Sequence, residues 1–292
     1  MKSGLFRGLL CAVAFAATSA RADEATGQDA AAAGRAGTHV AAISGPSAVQ
    51  QNPANLSRMF SLGAVVGAAG VATPGRGLAF PPHLYAGYGN GRMGLALGVN
   101  SPGSSMWAGY AGGAWQLTPG LSVGARVSLQ GETAGTEGFG WGAAAGVSWA
   151  PSERVRFGLE GSLPSLSIPA HLALGTAVFL DAFRLFADAE LERREALHAF
   201  DVRLGVEKDF GPTFLARAGL LLDQEVSGSE RLGVSVGAGR DLGAIEADVA
   251  YVLLFTTRTS EFGHVLALTL RFSTPPGVST RRADTSSTGN GE

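Results

Sequence analysis

The sequence predicts an all-β fold: a transmembrane antiparallel β-barrel of about 14 strands with an N-terminal plug in its lumen. Three observations predict it. An export-type leader opens the chain. Oily and polar residues alternate over most of its length. Short and long connections alternate between those segments.

The leader comes first. Lys2 and Arg7 give a basic start, Leu9 to Ala17 an apolar run, and Ala20-Arg21-Ala22 a small-x-small cleavage signal. Residues 1–22 are therefore expected to be a signal peptide. The run is too short to cross a bilayer as a helix. The chain's one cysteine, Cys11, lies inside it. The remainder has no thiol for a disulfide, a metal site or a nucleophile. Beyond residue 22 no stretch of 18 apolar residues occurs, which excludes helical spans. A net charge of −2 argues against a nucleic-acid partner. Beyond the leader the only lysine is Lys208; the other cations are arginines.

The wall is read from alternation. Phe200, Val202, Leu204 and Val206 share one face, and Asp201, Arg203, Gly205 and Glu207 the other. Phe183, Leu185, Ala187, Ala189 and Leu191 oppose Arg184, Phe186, Asp188 and Glu190. Similar ribbons run through 153–160, 245–253 and 264–272. Successive strand side chains point to opposite faces, so each ribbon has an oily and a polar side. The predicted strands lie near 59–71, 80–90, 91–101, 104–116, 120–131, 137–149, 153–163, 168–180, 182–193, 197–209, 213–224, 230–241, 244–257 and 262–273. Many are long enough for tilted membrane strands.

Short connections fall at Asn90-Gly91, Thr118-Pro119-Gly120, Pro151-Ser152, Asp181, Gly211-Pro212 and Leu242-Gly243. Longer ones, 72–79, 132–136, 164–167, 194–196, 225–229 and 258–261, fall between them, with 102–103 the short exception. Outer-membrane barrels have short periplasmic turns and longer outside loops, so both termini are expected in the periplasm. Phe139, Trp141 and Trp149 share an oily face, and Phe183, Phe210 and Phe214 sit beside short turns. These positions suit the two aromatic girdles of a membrane barrel.

Residues 23–58 do not alternate and are expected to form the plug; residues 59–273 form the barrel, and 274–292 a disordered tail. The inward face is expected to carry Arg126, Arg154, Arg156, Arg184, Arg203, Arg217 and Arg271. It also carries Glu160, Asp188, Glu190, Asp201, Glu207, Glu246 and Asp248. Equal numbers of opposite charges in a confined lumen read as an ion-pair network rather than a catalytic centre.

Gly34-Arg35-Ala36, followed after a small-residue stretch by Asn52-Pro53-Ala54, Leu56, Met59 and Phe60, resembles the hatch of the FadL family of long-chain fatty acid transporters. Pro81-Pro82, Gly94 to Val99, Pro102-Gly103, Ile168-Pro169-Ala170, Arg203 to Glu207 and Arg217-Ala218-Gly219 follow in matching order. The resemblance implies a 14-stranded, hatch-plugged barrel that takes up hydrophobic or amphipathic small molecules passively, with a lateral opening in well-studied members. It assigns Gly34, Arg35, Ala36, Asn52, Pro53 and Ala54 to the hatch. The family's long outside loops have no counterpart here.

The first expectation is therefore outer-membrane transport of a fatty-acid-like molecule, with membrane lipid as the surrounding partner. The alternatives are a structural or adaptor barrel for an envelope machine, and a channel for polar solutes. No enzyme, cofactor or metal is expected. His39, His83, His171, His198 and His264 are scattered without ligand or triad spacing, and no phosphate loop is present.

Overall fold

A computed structural model describes residues 29–42, 45–73, 77–101, 106–132, 140–163, 170–194, 197–224, 230–257 and 261–274. The expected leader, Phe139 and the tail from residue 275 lie outside the described residues.

The strands are β1 (Leu62–Thr73), β2 (Gly77–Ala79), β3 (Pro82–Gly89), β4 (Met93–Asn100), β5 (Met106–Thr118), β6 (Leu121–Glu132), β7 (Gly140–Ser152) and β8 (Val155–Leu163). They continue as β9 (Ala170–Phe179), β10 (Phe183–Arg194), β11 (Leu197–Phe210), β12 (Phe214–Gln224), β13 (Glu230–Asp241), β14 (Ile245–Thr256) and β15 (Glu261–Thr274). Neighbouring strands pair antiparallel around one sheet, and β15 pairs back onto β1, from Leu62 with Thr274 to Ala72 with His264. The sheet is thus a closed barrel without free edges, the one form in which strands can cross a bilayer.

Both β2 and β3 pair with β1 and together make one wall strand, so the ring has the predicted 14 members. The break falls at Phe80-Pro81. Pro81 and Pro82 have no N–H to give the ladder. Their carbonyls still accept, from Ala69 N at 3.3 Å and Ser101 N at 3.1 Å. The sequence reading drew 72–79 as a connection; the structure carries Gly77–Ala79 into the wall. The Phe80 ring folds over Gly70, where a β-carbon would collide with it.

The burial pattern follows the alternation. Leu95, Leu97 and Leu163 are 62%, 65% and 65% exposed, and Leu129, Leu204 and Leu268 lie on the same outward face. Glu160, Glu207, Arg217 and Asp248 are buried on the inward one. An oily belt around a ring with a charged interior is the inverse of a water-soluble domain, and it makes the outer surface a lipid-facing one. Among the described residues no helix is long and apolar enough to cross a membrane. The crossing is made by strands.

Outward aromatics collect at the ends. Trp149 stacks on Phe157 at 5.5 Å, and Phe210 meets Phe214 at 6.1 Å, beside short turns. Phe255 meets Phe262 at 5.0 Å at the opposite end, where Trp141 is also exposed. At the β3–β4 turn, Asn90 Oδ1 accepts from Arg92 N at 3.0 Å and Met93 N at 2.8 Å, and Gly91 takes φ 80°. That left-handed backbone is what a two-residue hairpin requires.

Candidate functional site in the lumen

Residues 29–42 and 45–61 together touch the inner face of all 14 wall strands. One helical turn, α1 (Ala30–Ala33), lies against β13, β14 and β15. Asp29 caps it, accepting from Ala32 N at 2.8 Å, a favoured N-terminal arrangement. Residues 34–41 then pass β12, β11, β10, β9 and β8. A 3-10 turn, Pro46–Val49, packs on β1, β3, β4 and β5, and a second, Pro53–Arg58, on β3 to β7. The β1–β5 side carries an apolar core: Val49, Leu56 and Met59 against Val65, Tyr85 and Ala96.

The Gly34-Arg35-Ala36 element is fixed by backbone groups and charge. Ser235 Oγ accepts from Ala36 N at 2.8 Å and donates to Gly34 O at 3.1 Å. Arg35 reaches Glu207 at 3.4 Å and lies 4.5 Å over the Phe186 ring. Burial lowers the Arg35 pKa below the ordinary arginine value. Ala36 takes φ 56° and Gly37 φ 84°. For alanine this left-handed backbone costs roughly 1–2 kcal/mol, so the wall contacts must hold it.

The Asn52-Pro53-Ala54 element ties the segment to the wall. Asn52 Nδ2 donates to Val40 O at 2.8 Å and to Val147 O of β7 at 3.2 Å, while Asn52 Oδ1 accepts from Ala54 N at 3.1 Å. Pro53 opens the second 3-10 turn, where its missing N–H costs nothing. Asp188 of β10 accepts from His39 N at 2.5 Å and Val40 N at 2.9 Å.

The inward charges form a chain across β10–β15. Arg184 joins Asp209 at 2.7 Å and also Glu207; Arg217 joins Glu207 at 2.7 Å and also Asp248. Arg271 joins Asp248 at 3.1 Å, Glu246 at 3.3 Å and Asp29 at 3.1 Å. Burial alone would raise the Asp29 pKa, but Arg271, the Ala32 N–H, Ser47 and Arg35 together hold it well below the usual carboxylate range. Nearer the long connections, Arg203 bridges Glu190 and Asp201, each at 3.0 Å, and Arg126 meets Glu160 at 2.8 Å. Arg126 also donates to Gln51 O at 2.6 Å, tying that pair to the N-terminal segment.

Of the other charged positions singled out in the sequence, Arg156 is buried over Phe179 at 4.8 Å, and Arg154 is exposed in the β7–β8 turn. Several participants escaped the sequence reading: Asp29, Asp209, and the Arg231–Asp223 pair at 3.7 Å. Asp223 and Arg231 continue the inward parity of β12 and β13, so parity was the signal for them. Asp29 lies where no period exists.

His171 bridges Ser162 Oγ, 2.7 Å from its Nδ1, and Glu160, 3.4 Å from its Nε2. The serine oxygen also takes the His171 N–H at 3.1 Å, and Glu160 is shared with Arg126, so this cluster fastens β8 to β9. Among the described residues no group of three metal-capable side chains converges.

At the short-turn end a cavity of about 60 Å³ lies between the N-terminal segment and the β1–β15 seam, lined by Pro46, Met59, Phe60, Val65, Arg271 and Phe272 among others. An apolar cavity that admits benzene has roughly 150 Å³. The segment as placed leaves no room there for a ring.

This architecture defines a class: a closed membrane barrel with a hydrogen-bonded segment seated against its inner wall. No protein-family model matches the chain, and no curated protein matches it in sequence. Solved structures do. The monoaromatic hydrocarbon channel CymD superposes with a TM-score of 0.73 at 14% identity, covering 85% of this chain and 97% of that one. The Ralstonia pickettii toluene transporter TbuX gives 0.73 at 15%, covering 85% and 98%. A Pseudomonas aeruginosa FadL homologue gives 0.70 at 15%, covering 84% and 98%. The chain therefore has the fold of FadL-type channels.

Proposed function

We propose that this chain is an outer-membrane channel for passive uptake of small hydrophobic molecules, with the segment read from the sequence as residues 23–58 as its hatch. In this reading residues 1–22 direct export, the short turns and both termini face the periplasm, and no catalytic step occurs. One observation carries it: a segment seated against all 14 strands, by polar contacts and by an apolar cluster on the β1–β5 side, inside a fold shared with hydrocarbon and toluene channels. Its polar contacts can be exchanged for others, and its apolar cluster around Val49, Leu56 and Met59 is small, so the segment is a movable stopper rather than a second domain. The cavity beside it at the short-turn end is too small for an aromatic ring, so passage at that point would need the hatch to shift. The break at Phe80-Pro81, where the wall lacks two donors, supports a side exit under the Phe80 ring.

The test is uptake of radiolabelled toluene and of a long-chain fatty acid by cells with and without the gene. Slower uptake of at least one is expected in the deletion strain, restored by the intact gene. Equal uptake of every apolar solute in both strains would overturn the reading.

A further inference from the structure

We propose that Lys208 and Arg240, framed by Phe210 and Phe214, bind the headgroup of an anionic glycerophospholipid on the outer surface of the barrel at its short-turn end. The inference rests on the periplasmic placement of the short turns proposed above.

Lys208 is the only lysine beyond the leader, and it sits on the oily side of β11, between Val206 and Phe210. Its ammonium lies 4.8 Å from the Phe183 ring and 4.9 Å from the Phe210 ring. Two ring faces hold a cation electrostatically but leave its charge uncompensated. Arg240 occupies an outward position of β13, exposed and directly across from Phe214. Among the described residues neither cation pairs with a carboxylate. Of the acids beside them in the ladder, Asp209 and Glu246 are taken by inward arginines, Arg184 holding the first, Arg271 and Arg217 the second, and Asp241 accepts the Gly243 N–H at 2.8 Å.

The ladder fixes the layout. Lys208 stands opposite Ala216, and Ala216 opposite Ala238, two residues before Arg240. The cations are thus two strands apart, roughly 10 Å sideways. The Phe210–Phe214 pair lies toward the turns and a low floor of Ala216, Ala218 and Ala238 toward the membrane centre. A charge on a lipid-facing wall is costly unless it reaches the headgroup layer and finds a counter-charge there. At girdle height the anion at hand is a lipid phosphate, and the alanine floor leaves space for an acyl chain below it. With short turns in the periplasm, that lipid belongs to the phospholipid leaflet and not to the lipid A leaflet.

Native mass spectrometry of the purified full chain in mild detergent tests this, with phosphatidylglycerol, phosphatidylcholine and lipid A titrated separately. Retention of phosphatidylglycerol above the other two is expected. K208Q/R240Q should lower its retained fraction about tenfold, since each basic group near an anionic surface contributes a factor of a few. If the double variant gives no barrel, K208Q alone carries the comparison, with about a threefold loss expected. Equal retention of phosphatidylglycerol and phosphatidylcholine, no change in the variants, or preference for lipid A would each overturn the proposal. The readout is bound lipid, so such a failure leaves the uptake reading standing, and failed uptake leaves this one standing.

Discussion

Gly146 of β7 faces Asn52 so closely that a β-carbon on it would overlap the Asn52 Oδ1 that caps the Pro53–Arg58 turn. The same relationship recurs around the ring: Gly94 against Leu56 O, Gly158 against Val40 O, Gly219 against the Arg35–Ala36 peptide. The inner wall is bare where the N-terminal segment passes, so backbone meets backbone.

Gly146→Leu should therefore unseat the segment. Overpacking of this kind costs about 1–3 kcal/mol. The wall ladder is untouched, so the barrel should persist while the segment loosens. Limited proteolysis should cut within residues 29–61 faster in the variant, with unchanged β-sheet circular dichroism. A segment as resistant as in the unaltered chain would refute the close approach.

Asp188 holds the segment from the opposite side, accepting the N–H groups of two successive residues, His39 and Val40. Removing the carboxylate strands both donors in a buried place, at about 1–3 kcal/mol each. Asp188→Ala should raise hydrogen exchange at residues 39 and 40 by tenfold or more. Asp188→Asn keeps one acceptor oxygen and should fall between. Exchange unchanged in the alanine variant would show that the contact contributes nothing.

The alternation made the wall legible. Every second residue of a half-wetted strand is constrained by lipid, so hydropathy records the fold directly. The same period placed Glu207, Arg217 and Asp248 inward together, but not their order along the chain, which depends on register. The glycines were the harder case. Gly158 and Gly205 read as neutral members of a polar face, because a residue without a side chain has no hydropathy to display. Their role exists only through Val40 and Arg35, more than a hundred residues away. Phe186 lies inward as its parity with Arg184 and Asp188 indicates, but its use as a platform for Arg35 depends on a residue outside the period.

Arg217 stands at the centre of the charge chain, between Glu207 and Asp248. Replacing it with methionine keeps much of the volume and leaves two buried carboxylates short of a partner. Breaking a buried pair costs about 3–5 kcal/mol. Glu207 retains Arg184 and Asp248 retains Arg271, so the lower end is expected. Thermal unfolding in detergent should show Arg217→Met melting well below the unaltered protein, with Arg217→Lys intermediate because an ammonium lacks the guanidinium fork. Identical melting of all three would mean that the chain of charges is ornamental to stability.

Asp29 gives the hatch an acid sensitivity of definite sign. Its carboxyl is held below the ordinary value of 3.8 by Arg271, the Ala32 N–H, Ser47 and Arg35, against the opposing effect of burial. A depressed folded-state pKa means that the ionised form is the one the fold prefers. The stabilisation is complete above the unfolded value and drains away as pH falls below it. Protonation removes the charge facing Arg271 and weakens the cap on α1, so the N-terminal segment should loosen before the wall does. Proteolysis of residues 29–61 by an acid-active protease should accelerate from pH 5 toward pH 3, and Asp29→Asn should show the acid rate already at pH 5. A segment whose susceptibility is flat across that interval, in a chain that still has Asp29, would leave the Arg271 contact without energetic meaning.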